Sequence, residues 1–593
     1  MSATLAVAIL VLTMGLLVSG RVRIDVVGVI ALALVGVFHL IPTGTLFSGF
    51  SSYAAIILAE MFVLSEGLRR SGATDVMASW FERLGKKGES RLLTALMALP
   101  PIPSSFVSDV GLMSIFLPTM VRIRQRVKVS LHRLLMPLAI AIALGGLLSM
   151  IGSAGNIIGN ATLASNHYPP IPLFGITPLG VVLVLAGYLF MKWWGVKRLP
   201  ATDTEDEFVT NYQEVKRYLS EVSVPPHSPL IGKPLHALTY FRQHHLTVLR
   251  ILRQGQPPLM PGAYDRLEAE DRLIIQGSQQ AMVGLTAEDG LETVATDRRP
   301  LRLRSADARI MEAMVPQSSV LVNHSLREVD FRVRFGVTVL AILRQGVTRV
   351  QELPDMTLTM GDVLLVMGSN DAIMRLQKSE DLTVLAALER PALASARHRF
   401  LAIGVLAAVL VLATFNILAV QVGAAAAIAV LVLGRVISLD QAYRAIDWRI
   451  ITLVGGVTPL SLAMTRTGVT AALAHALMQW LGPLGPYAML TVFFILAAAL
   501  TQVVSNVAAA LVLSPLAISV AASNHWSPDG LIIAMIVALS AAPITPLANK
   551  VFIMAMGPGQ YKYQDFLKIG LPMTLVMGVL TVGVTPLLFP FRH

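Results

Sequence analysis

Long apolar runs alternate with short polar or basic segments along most of the chain. Each run has about the length that an α-helix needs to cross a hydrocarbon layer of ~30 Å. The clearest are Ala3 to Gly20, Ile24 to Pro42, Leu173 to Phe190, Phe400 to Phe415 and Leu418 to Gly434. Further spans are expected near Leu135 to Leu163 and Ile450 to Met464. The pattern therefore predicts an α-helical polytopic membrane protein.

Two further apolar segments are predicted to be re-entrant hairpins. The segment from Leu92 to Met120 has basic residues on both flanks, and a single crossing would put one flank on the wrong side of the membrane. We expect it to enter and return, with Ser104-Ser105 and the neighbouring prolines at its tip. No Lys or Arg lies between Arg466 and Lys550, so a second hairpin, around Leu496 to Val520, is expected on the outside.

The two ends of the chain show the same order of predicted elements, starting from opposite sides of the membrane. This is the inverted-repeat plan of secondary transporters, whose substrate sites form at the midplane where helices are broken. We predict a first transmembrane repeat in residues 1–200 and a second in residues 396–593, each with one hairpin.

The segment from about Thr202 to Leu388 differs in composition from the apolar parts of the chain, and we predict that it is an α+β soluble insert. Its charges are frequent, and short Val, Leu and Ile runs are bounded by Gly and Pro. It is also duplicated at a spacing of 91 positions, as from Glu221 to Glu312. The other pairs are Leu235 with Leu326, Asp271 with Asp362, Gly277 with Gly368, and Leu252-Arg253-Gln254-Gly255 with Leu343-Arg344-Gln345-Gly346. We predict two modules, residues 208–296 and 300–388.

The composition excludes several classes of function. Of the 593 residues, 54% are hydrophobic and 14% charged, against roughly a quarter charged in soluble domains. The formal charge of +11 is explained by basic loops, and no basic stretch is interleaved with aromatic residues, so nucleic acid is not an expected partner. Cys is absent, and no Walker loop, zinc-protease motif or nucleophile elbow occurs. Neither enzymatic activity nor catalytic residues are predicted, and no cofactor is expected.

Motifs in both parts of the chain resemble those of known families. Ser505-Asn506-Val507-Ala508-Ala509 and the run from Gly557 to Lys568 are similar to the divalent anion/sodium symporter family, which includes permeases for sulfate and for dicarboxylates. Glu270 to Gly277 and Gly361 to Gly368 resemble the C-terminal lobe of regulators of potassium conductance, also called RCK-C or TrkA-C. Sulfate-type members of the symporter family carry such paired lobes between their halves, and the resemblance covers essentially the whole chain.

The resemblance implies an elevator mechanism in a homodimer, in which a domain with both hairpins slides against a scaffold. It implies a multi-pass protein of the bacterial inner (plasma) membrane, with a lipid bilayer and a small anion as partners. The insert is then a cytoplasmic dimerisation and regulatory unit. Related lobes bind small ligands, including cyclic dinucleotides, and such a nucleotide is a candidate ligand here; a role limited to stabilising the dimer is the alternative.

The resemblance also implies a Ser-Asn-Thr tripeptide at each hairpin tip that contacts substrate and lines a sodium site. Here the tripeptides read Ser108-Asp109-Val110 and Ser505-Asn506-Val507. Each Thr-to-Val change removes an oxygen of the kind that binds a hard cation. Ser104 and Thr501 match cation-site positions of the family, and no metal other than sodium is expected. The expected ion-coupling residues are Ser104, Asp109, Gly152, Thr501 and Asn506.

A second helix break is predicted beyond each hairpin, at Gly152 to Asn156 and at Pro543 to Lys550. Free backbone amides at half-helix starts are suited to binding an anion. Thr545-Pro546 matches the family's substrate motif, whereas Phe552 replaces a family asparagine and the charge of Lys550 is unexpected. Three hypotheses are open for Lys550: it neutralises a dianion, it pairs with Asp109, or it anchors the chain at the cytoplasmic surface. The expected substrate-binding residues are Ser108, Asp109, Asn156, Ser505, Asn506, Thr545, Pro546 and Lys550.

Asp109 is the sharpest departure from the family pattern. A carboxylate near the midplane is costly unless it is paired, hydrated or protonated, so a functional role is favoured. That role is proton coupling, cation binding or pairing with a cationic substrate group; capping of a hairpin helix in a wet vestibule is the structural alternative. Sodium and the proton both remain candidate coupling ions.

These patterns predict a cation-coupled symporter, a secondary active transporter for a small divalent anion. Sulfate or a related oxyanion is the first candidate substrate. A dicarboxylate or a zwitterionic amino acid is the alternative on the same fold, because an ionised Asp109 would repel a dianion. A ligand-gated ion channel is a second alternative, against which stands the absence of a selectivity-filter run. A membrane sensor that binds without flux is a third.

Overall fold

The structure is a computed structural model, and the chain divides into two compact units. One unit comprises Met1–Pro200, Arg390–Ala555 and Lys562–His593; the other comprises Ala201–Glu389 with Met556–Tyr561. We call them the membrane unit and the insert unit. The described residues are 2–19, 22–73, 81, 88–127, 129–199, 219–235, 241, 246–253, 265–276, 291–293, 309–316, 319–344, 347–350, 353–379, 381–384 and 396–591.

The first repeat is helical through most of its described part. Its longer helices are α1 (Ser2–Ser19), α2 (Ile24–Val37), α3 (Tyr53–Arg70), α4 (Glu89–Ala98), α5 (Asp109–Val127), α6 (Leu131–Gly145), α7 (Ala154–Ser165) and α8 (Thr177–Phe190). Single turns of helix lie at Thr43–Leu46, Pro101–Ser104 and Val196–Arg198, with a 3-10 turn at Gly146–Leu148 and a π-helical turn at Met191–Gly195.

The second repeat is also helical through most of its length. Its helices are α9 (Ala396–Thr414), α10 (Val420–Leu433), α11 (Trp448–Arg466), α12 (Val469–Leu481), α13 (Gly485–Leu500), α14 (Asn506–Ser523), α15 (Asp529–Ala541), α16 (Lys550–Met556) and α17 (Tyr563–Leu588). A short helix lies at Leu439–Ala445, with 3-10 turns at Gly482–Leu484 and Pro546–Ala548. In the described part of the chain, eight helices are long and apolar enough to cross a membrane, which fits the polytopic fold expected from the apolar runs.

Two predicted spans need correction. The run from Ile24 to Pro42 is helical only to Val37, because His39 adopts a positive φ of 49°, a left-handed conformation that an α-helix of L-residues cannot continue. The stretch from Leu135 to Leu163 is not one helix, since α6 ends at Gly145 and α7 begins at Ala154. We call residues 146–153 break 1. Residues 542–549, between α15 and α16, form break 2.

Each predicted hairpin consists of two helices that meet at a short tip. Hairpin 1 is α4 and α5 with the tip 99–108, and hairpin 2 is α13 and α14 with the tip 501–505. The helices that lead into the two breaks, α6 and α15, are buried along nearly their whole length. A helix that is apolar on all sides belongs in a protein interior, so both breaks follow helices from the interior of the membrane unit.

Close backbone contact joins the two repeats away from the hairpins. A Cβ on Gly456 of α11 would lie 2.2 Å from the carbonyl oxygen of Gly28 of α2. Small residues allow membrane helices to approach in this way and to gain van der Waals contact. Gly49 and Gly455 make a second such contact, at 2.4 Å. The Gly28–Gly456 contact fixes α2 against α11, and the Gly49–Gly455 contact fixes the segment before α3 against the same helix.

The insert unit contains two antiparallel sheets with equivalent strands. The first has the order β2-β3-β1-β4 and the second β7-β6-β8-β5-β9. Their bounds are β1 Leu219–Ser223, β2 Thr247–Leu252, β3 Arg272–Gln276, β4 Glu292–Thr293, β5 Arg309–Met314, β6 Val337–Arg344, β7 Val347–Arg349, β8 Val363–Gly368 and β9 Thr383–Val384. A short helix Phe331–Phe335 precedes β6, and helix Asn370–Lys378 follows β8. Isolated bridges pair Pro234 with Arg266 and Ser325 with Thr357, again at equivalent positions of the two modules.

Equivalent ion pairs close the two modules. Arg253 Nε lies 2.9 Å from Asp271 Oδ1, and Arg344 Nη2 lies 2.6 Å from Asp362 Oδ2. In each pair the aspartate is 1% exposed. The hydrogen bonds from these arginines to the carboxylates raise the pKa of both guanidinium groups above the ordinary value for arginine. The predicted module boundaries at residues 208, 296, 300 and 388, as well as Gly277, Gln254-Gly255 and Gln345-Gly346, lie outside the described residues.

The two modules also pack on each other through the outer faces of their sheets. Leu249 and Ile274 of the first meet their equivalents Leu340 and Leu365 of the second. Gln276 Nε2 donates to the carbonyl oxygen of Leu340 at 2.7 Å. β3 and β8 are therefore covered on both faces.

Candidate functional site

The serines of the two tripeptides begin the second helix of each hairpin. Ser505 has extended dihedral angles, and its Oγ accepts from Ala508 N at 3.4 Å, which caps α14. Ser108 Oγ accepts from Gly111 N at 3.2 Å at the start of α5. A serine at this position satisfies an amide that the helix itself leaves unpaired. Both hydroxyls thereby fix the first helical residues, Asp109 and Asn506, at the tips.

Each tip holds a hydroxyl against the residue that begins the next helix. Ser104 Oγ lies 3.1 Å from Asp109 Oδ1 and 2.6 Å from the carbonyl oxygen of Ile142. Thr501 Oγ1 lies 2.5 Å from Asn506 Oδ1 and 3.3 Å from the carbonyl oxygen of Ala548. The hydroxyl and its partner are five positions apart in both repeats. The two repeats therefore contain the same local pair, with the carboxylate of Asp109 in the first and the amide of Asn506 in the second.

Asp109 also reaches the other repeat. Asn549 Nδ2, in break 2, donates to Asp109 Oδ2 at 3.2 Å, while Asn549 Oδ1 accepts from Val551 N at 3.2 Å. With Thr501 bound to the carbonyl of Ala548, both hairpin tips contact break 2. The structure therefore brings together Ser104, Asp109, Thr501 and Asn506, all predicted, and adds Asn549.

Lys550 does not form the ion pair with Asp109 that its charge suggested. Its Nζ lies 3.9 Å from Asp447 Oδ2, and the two side chains are 33% and 30% exposed. Asp447 also caps α11 by accepting from Arg449 N at 3.2 Å. The hydrogen bonds that the structure gives to the Asp109 carboxylate come from the neutral groups of Ser104 and Asn549.

Break 1 is held by Asn156, whose side chain turns toward the backbone. Its Nδ2 donates to the carbonyl oxygens of Gly146 and Ser149 at 2.7 and 2.8 Å, and its Oδ1 accepts from Ser153 Oγ at 2.6 Å. Asn156 is fully buried. A Cβ on Gly152 would lie 2.5 Å from the Gly146 carbonyl, so a larger residue would open this turn. These contacts give Asn156 and Gly152 the geometry of positioning residues.

Break 2 is held by Gln502, which sequence reasoning missed. Gln502 Nε2 donates to the Ala542 carbonyl at 2.9 Å, and its Oε1 accepts from Thr545 N at 2.8 Å. Pro546 begins the 3-10 turn that follows. Among the described residues, the buried Oγ1 of Thr545 has no hydrogen-bond partner. An amide directly after Thr501 in an apolar run was the available signal, because such groups need a partner at membrane depth.

Ser65 of α3 was also missed. Its Oγ accepts from the backbone amide of Ser108 at 3.1 Å, and the residue is buried. This contact ties the tip of hairpin 1 to a helix outside the hairpin. The only signal in the sequence was a serine within an apolar run.

The arrangement combines one carboxylate with hydroxyl, amide and backbone oxygen atoms. Such oxygen ligands suit a hard monovalent cation, and the carboxylate is also able to take up a proton. The unpaired Thr545 hydroxyl is free to donate to an anion. These groups have the chemistry to bind a cation or a proton at Asp109 and to donate a hydrogen bond to an anion from Thr545.

Residues 14–538 match a family model described as citrate transporter. The chain belongs to this family. The uncharacterized transporter YfbS of Escherichia coli (strain K12) is 30% identical across 99% of this chain and 98% of its own length. Sodium/sulfate cotransporter 1 of Chlamydomonas reinhardtii is 24% identical over 54% of this chain and 38% of its own length. Membership makes this chain a multi-span membrane transporter.

Among solved structures, the Alcanivorax borkumensis YdaH transporter is similar, with 13% identity, coverage of 92% of this chain and 89% of its own, and a TM-score of 0.45. The family to which the chain belongs is thus that of citrate transporters, and the sodium/sulfate cotransporters are its distant relatives. The helical membrane fold with a small sheet-containing insert is confirmed. The substrate and coupling roles of the individual residues stay predictions.

Proposed function

We propose that this transporter is a cation-coupled symporter of a small divalent oxyanion, with sulfate as the first candidate. The observation that carries the proposal is Asp109, which stands where the other repeat has Asn506 and bridges hairpin 1 to break 2 through Asn549. The distant relatives named sodium/sulfate cotransporters support the substrate class.

Electrostatics links the anion to the cation. An ionised Asp109 repels a dianion, and its two hydrogen-bond donors are neutral. In a site of low dielectric this repulsion is large unless the carboxylate is neutralised. A proton or a sodium ion on Asp109 would remove it, so the anion and the cation bind together and cross together.

The substrate itself is proposed to bind beside break 2. Thr545 offers its unpaired hydroxyl, and Lys550 adds a positive charge that Asp447 offsets only at 3.9 Å. Ser108 and Ser505 have their hydroxyls engaged as helix caps, so their contribution is to position the tips. Asn156 has the same positioning role in break 1.

The test is uptake of labelled sulfate into proteoliposomes under imposed sodium or proton gradients, with wild type and Asp109→Asn. The matched control is Asp25→Asn, because Asp25 pairs with the exposed Arg23 at the start of α2. We expect one gradient to drive uptake in wild type and in the control. In Asp109→Asn that gradient is expected to lose its effect, while any remaining uptake becomes gradient-independent. Sulfate uptake that stays fully coupled in Asp109→Asn would contradict the role of Asp109.

A carboxylate substrate is the second candidate, favoured by the citrate transporter description of the matching family. The same vesicles distinguish the two by competition, since excess citrate or a dicarboxylate blocks labelled sulfate uptake only if they share the site. Absence of sulfate uptake together with gradient-driven citrate uptake would move the proposal to carboxylates. Uptake of a zwitterionic amino acid instead would indicate that Asp109 pairs with the cationic group of the substrate.

For the whole protein we propose alternating access of the elevator type in a homodimer of the bacterial inner membrane, with a cytoplasmic, regulatory insert that takes a nucleotide ligand. The contact of both hairpin tips with break 2 supports movement of these elements as one body. Saturable flux that is accelerated by substrate on the opposite face would support the carrier. Single-channel conductance would instead favour a gated channel.

A further inference from the structure

A cleft outside the substrate site lies between α4, α6 and α8. It has a volume of about 240 Å³ and is lined by residues of all three helices and of the π-helical turn Met191–Gly195. Glu89 stands at the start of α4, Arg133 is in the first turn of α6, and Lys192 and Lys197 follow the end of α8. Three helix ends therefore meet around one cleft.

The polar lining carries more positive than negative charge. Arg133 Nη1 lies 2.8 Å from Glu89 Oε1, which offsets these two charges. Among the described residues no carboxylate lies within ion-pair distance of Lys192 or Lys197. The positive charges of Lys192 and Lys197 are thus available for an anionic ligand.

The hydroxyl groups in the cleft form a chain with one of these lysines. Lys192 Nζ donates to Tyr188 Oη at 2.9 Å, and Tyr188 Oη lies 3.2 Å from Thr94 Oγ1. Lys192 Nζ also lies 5.2 Å from the centre of the Tyr188 ring, a cation–π distance. Tyr188 therefore holds one lysine in place and joins α8 to α4 of hairpin 1.

The π-helical turn explains why both lysines line the same cleft. Five positions separate them, and in an ordinary α-helix residues at that spacing point in different directions. The π-helical turn Met191–Gly195 contains Lys192 and is wider than an α-helical turn, and Lys197 of the following turn Val196–Arg198 then lines the same cleft. Such turns are frequent at functional sites because they re-aim side chains.

The rest of the lining is apolar, from Leu93, Met97, Pro137, Met191 and Val196. Trp193, in the same turn, is 66% exposed, and tryptophan is enriched where a membrane meets water. Basic pockets between membrane helices on the cytoplasmic side bind lipid head groups. Lys192, Lys197 and Arg198 follow α8, and basic residues at the end of a span favour the cytoplasmic side. A free phosphate ion has no apolar part that could contact the apolar wall.

We propose that this cleft binds the phosphate head group of an anionic phospholipid, with Lys192, Lys197 and Tyr188 as its ligands and the acyl chains along the apolar wall. Because Tyr188 and Thr94 connect α8 to hairpin 1, a bound lipid holds this hairpin arm against α8. The proposal does not depend on the transported substrate.

The test is binding of phosphatidylglycerol to the full-length protein in detergent, followed by native mass spectrometry and by a titration with labelled lipid. The variants are wild type, Lys192→Gln/Lys197→Gln and Tyr188→Phe; the control is Lys568→Gln, an exposed lysine on α17. With about 1 kcal/mol for each lysine near a membrane surface, the double variant should bind about tenfold or more weakly. We expect a smaller loss in Tyr188→Phe and no change in the control.

Two comparisons keep the test decisive. Phosphatidylcholine should not compete, because its head group has no net negative charge. Displacement of the lipid by inorganic phosphate or glycerol phosphate at equal concentration would overturn the proposal. The ligand of the cleft would then be a soluble phosphate compound. Equal binding of phosphatidylglycerol to wild type and to the double lysine variant would overturn it as well.

Discussion

At the scale of single residues, the two repeats differ most at Asp109 and Asn506. Both follow a helix-capping serine, and both bind a hydroxyl five positions earlier in the chain. An amide at this position carries no charge, whereas a carboxylate changes its charge when it binds a proton or a cation. One exchange of residue type thus gives the first repeat the ionisable group of this pair, and under the proposed function the coupling cation would act at that repeat.

Replacing Thr545 with valine tests whether its hydroxyl contacts the transported anion. The change preserves shape and removes an Oγ1 that is buried without a partner among the described residues, so folding loses no hydrogen bond. A lost hydrogen bond to a charged ligand is worth ~1.5–3 kcal/mol. We therefore expect the KM for uptake to rise about tenfold or more, with thermal stability within ~0.5 kcal/mol of wild type.

Thr585→Val is the matched control, because Thr585 Oγ1 on α17 is also buried without a partner in the described residues. It should leave both KM and stability unchanged. An equal KM change in the two variants would mean that Thr545 acts through packing and not through the substrate.

Gly570 tests how closely α17 must approach break 2. A Cβ at this position would lie 1.9 Å from the carbonyl oxygen of Pro543, which is inside the van der Waals contact distance. Gly570→Ala should therefore push α17 away from the break and lower stability by ~1–3 kcal/mol, as overpacking does. Uptake should fall with it, because break 2 carries Thr545 and Asn549.

Gly583→Ala, on the same helix, is the control. A Cβ on Gly583 would meet nothing within 4 Å, and alanine favours helix more than glycine does. Thermal unfolding in detergent should show no loss for this variant. Equal melting temperatures for the two alanine variants would show that the approach at Gly570 is not required.

At the scale of elements, interrupted helices and duplicated sheets organise the molecule. α6 and α15 are buried almost throughout and stop at the two breaks, where side chains replace the missing helical hydrogen bonds. Asn156 supplies them in break 1 and Gln502 in break 2. Irregular backbone at membrane depth is tolerated only when such partners or a water-lined cavity satisfy it.

The buried ion pairs of the insert predict a local stability difference. Asp362 accepts from Arg344 and from Thr359 N and is 1% exposed. Asp362→Asn leaves the Arg344 guanidinium without its counter-charge. Breaking a buried pair in this way costs ~3–5 kcal/mol; the lower end applies because Arg344 is 26% exposed. Hydrogen exchange of the β8 amides in the full-length protein measures the loss.

Asp355→Asn is the control for the insert. Asp355 and Arg327 lie 3.0 Å apart with side chains 48% and 64% exposed, and such surface pairs contribute at most ~1 kcal/mol. Exchange in β8 should stay at the wild-type rate. Faster exchange in both variants would indicate a general effect of lost charge on the insert.

At the scale of the whole molecule, the insert is linked to the transport machinery by the chain itself. The insert unit includes Met556–Tyr561, the segment between α16 and α17. α16 begins at Lys550, directly after Asn549, which binds Asp109. Along the chain, one short helix therefore separates Asn549 from a segment of the insert unit.

Replacing residues 202–388 with a flexible linker tests this link. Met556–Tyr561 would lose the unit in which it packs, so we expect uptake to slow while its dependence on the driving cation is unchanged. Uptake kinetics of the two forms in proteoliposomes measure the effect. Wild-type rates in the shortened protein would restrict the insert to a role in assembly.

Apolar runs and the 91-residue repeat were enough to predict the membrane helices, the hairpins and the duplicated insert, because length and periodicity of burial are properties of the local sequence. Ser104, Asp109, Thr501 and Asn506 were proposed from the resemblance to the divalent anion/sodium symporter family, and each hydroxyl contacts a partner only five positions along the chain. The end of α2 at Val37 was missed, because it depends on the left-handed turn at His39.

The tertiary structure decided which of these groups meet. Asp109 and Asn549 lie in different repeats, and Lys550 pairs with Asp447 and not with Asp109. Gln502 and Ser65 entered the site only through their contacts with Thr545 and Ser108. A sequence specifies the residue types and their local spacing, whereas partners far apart in the chain are set by how helices cross, and that depends on packing along their whole length.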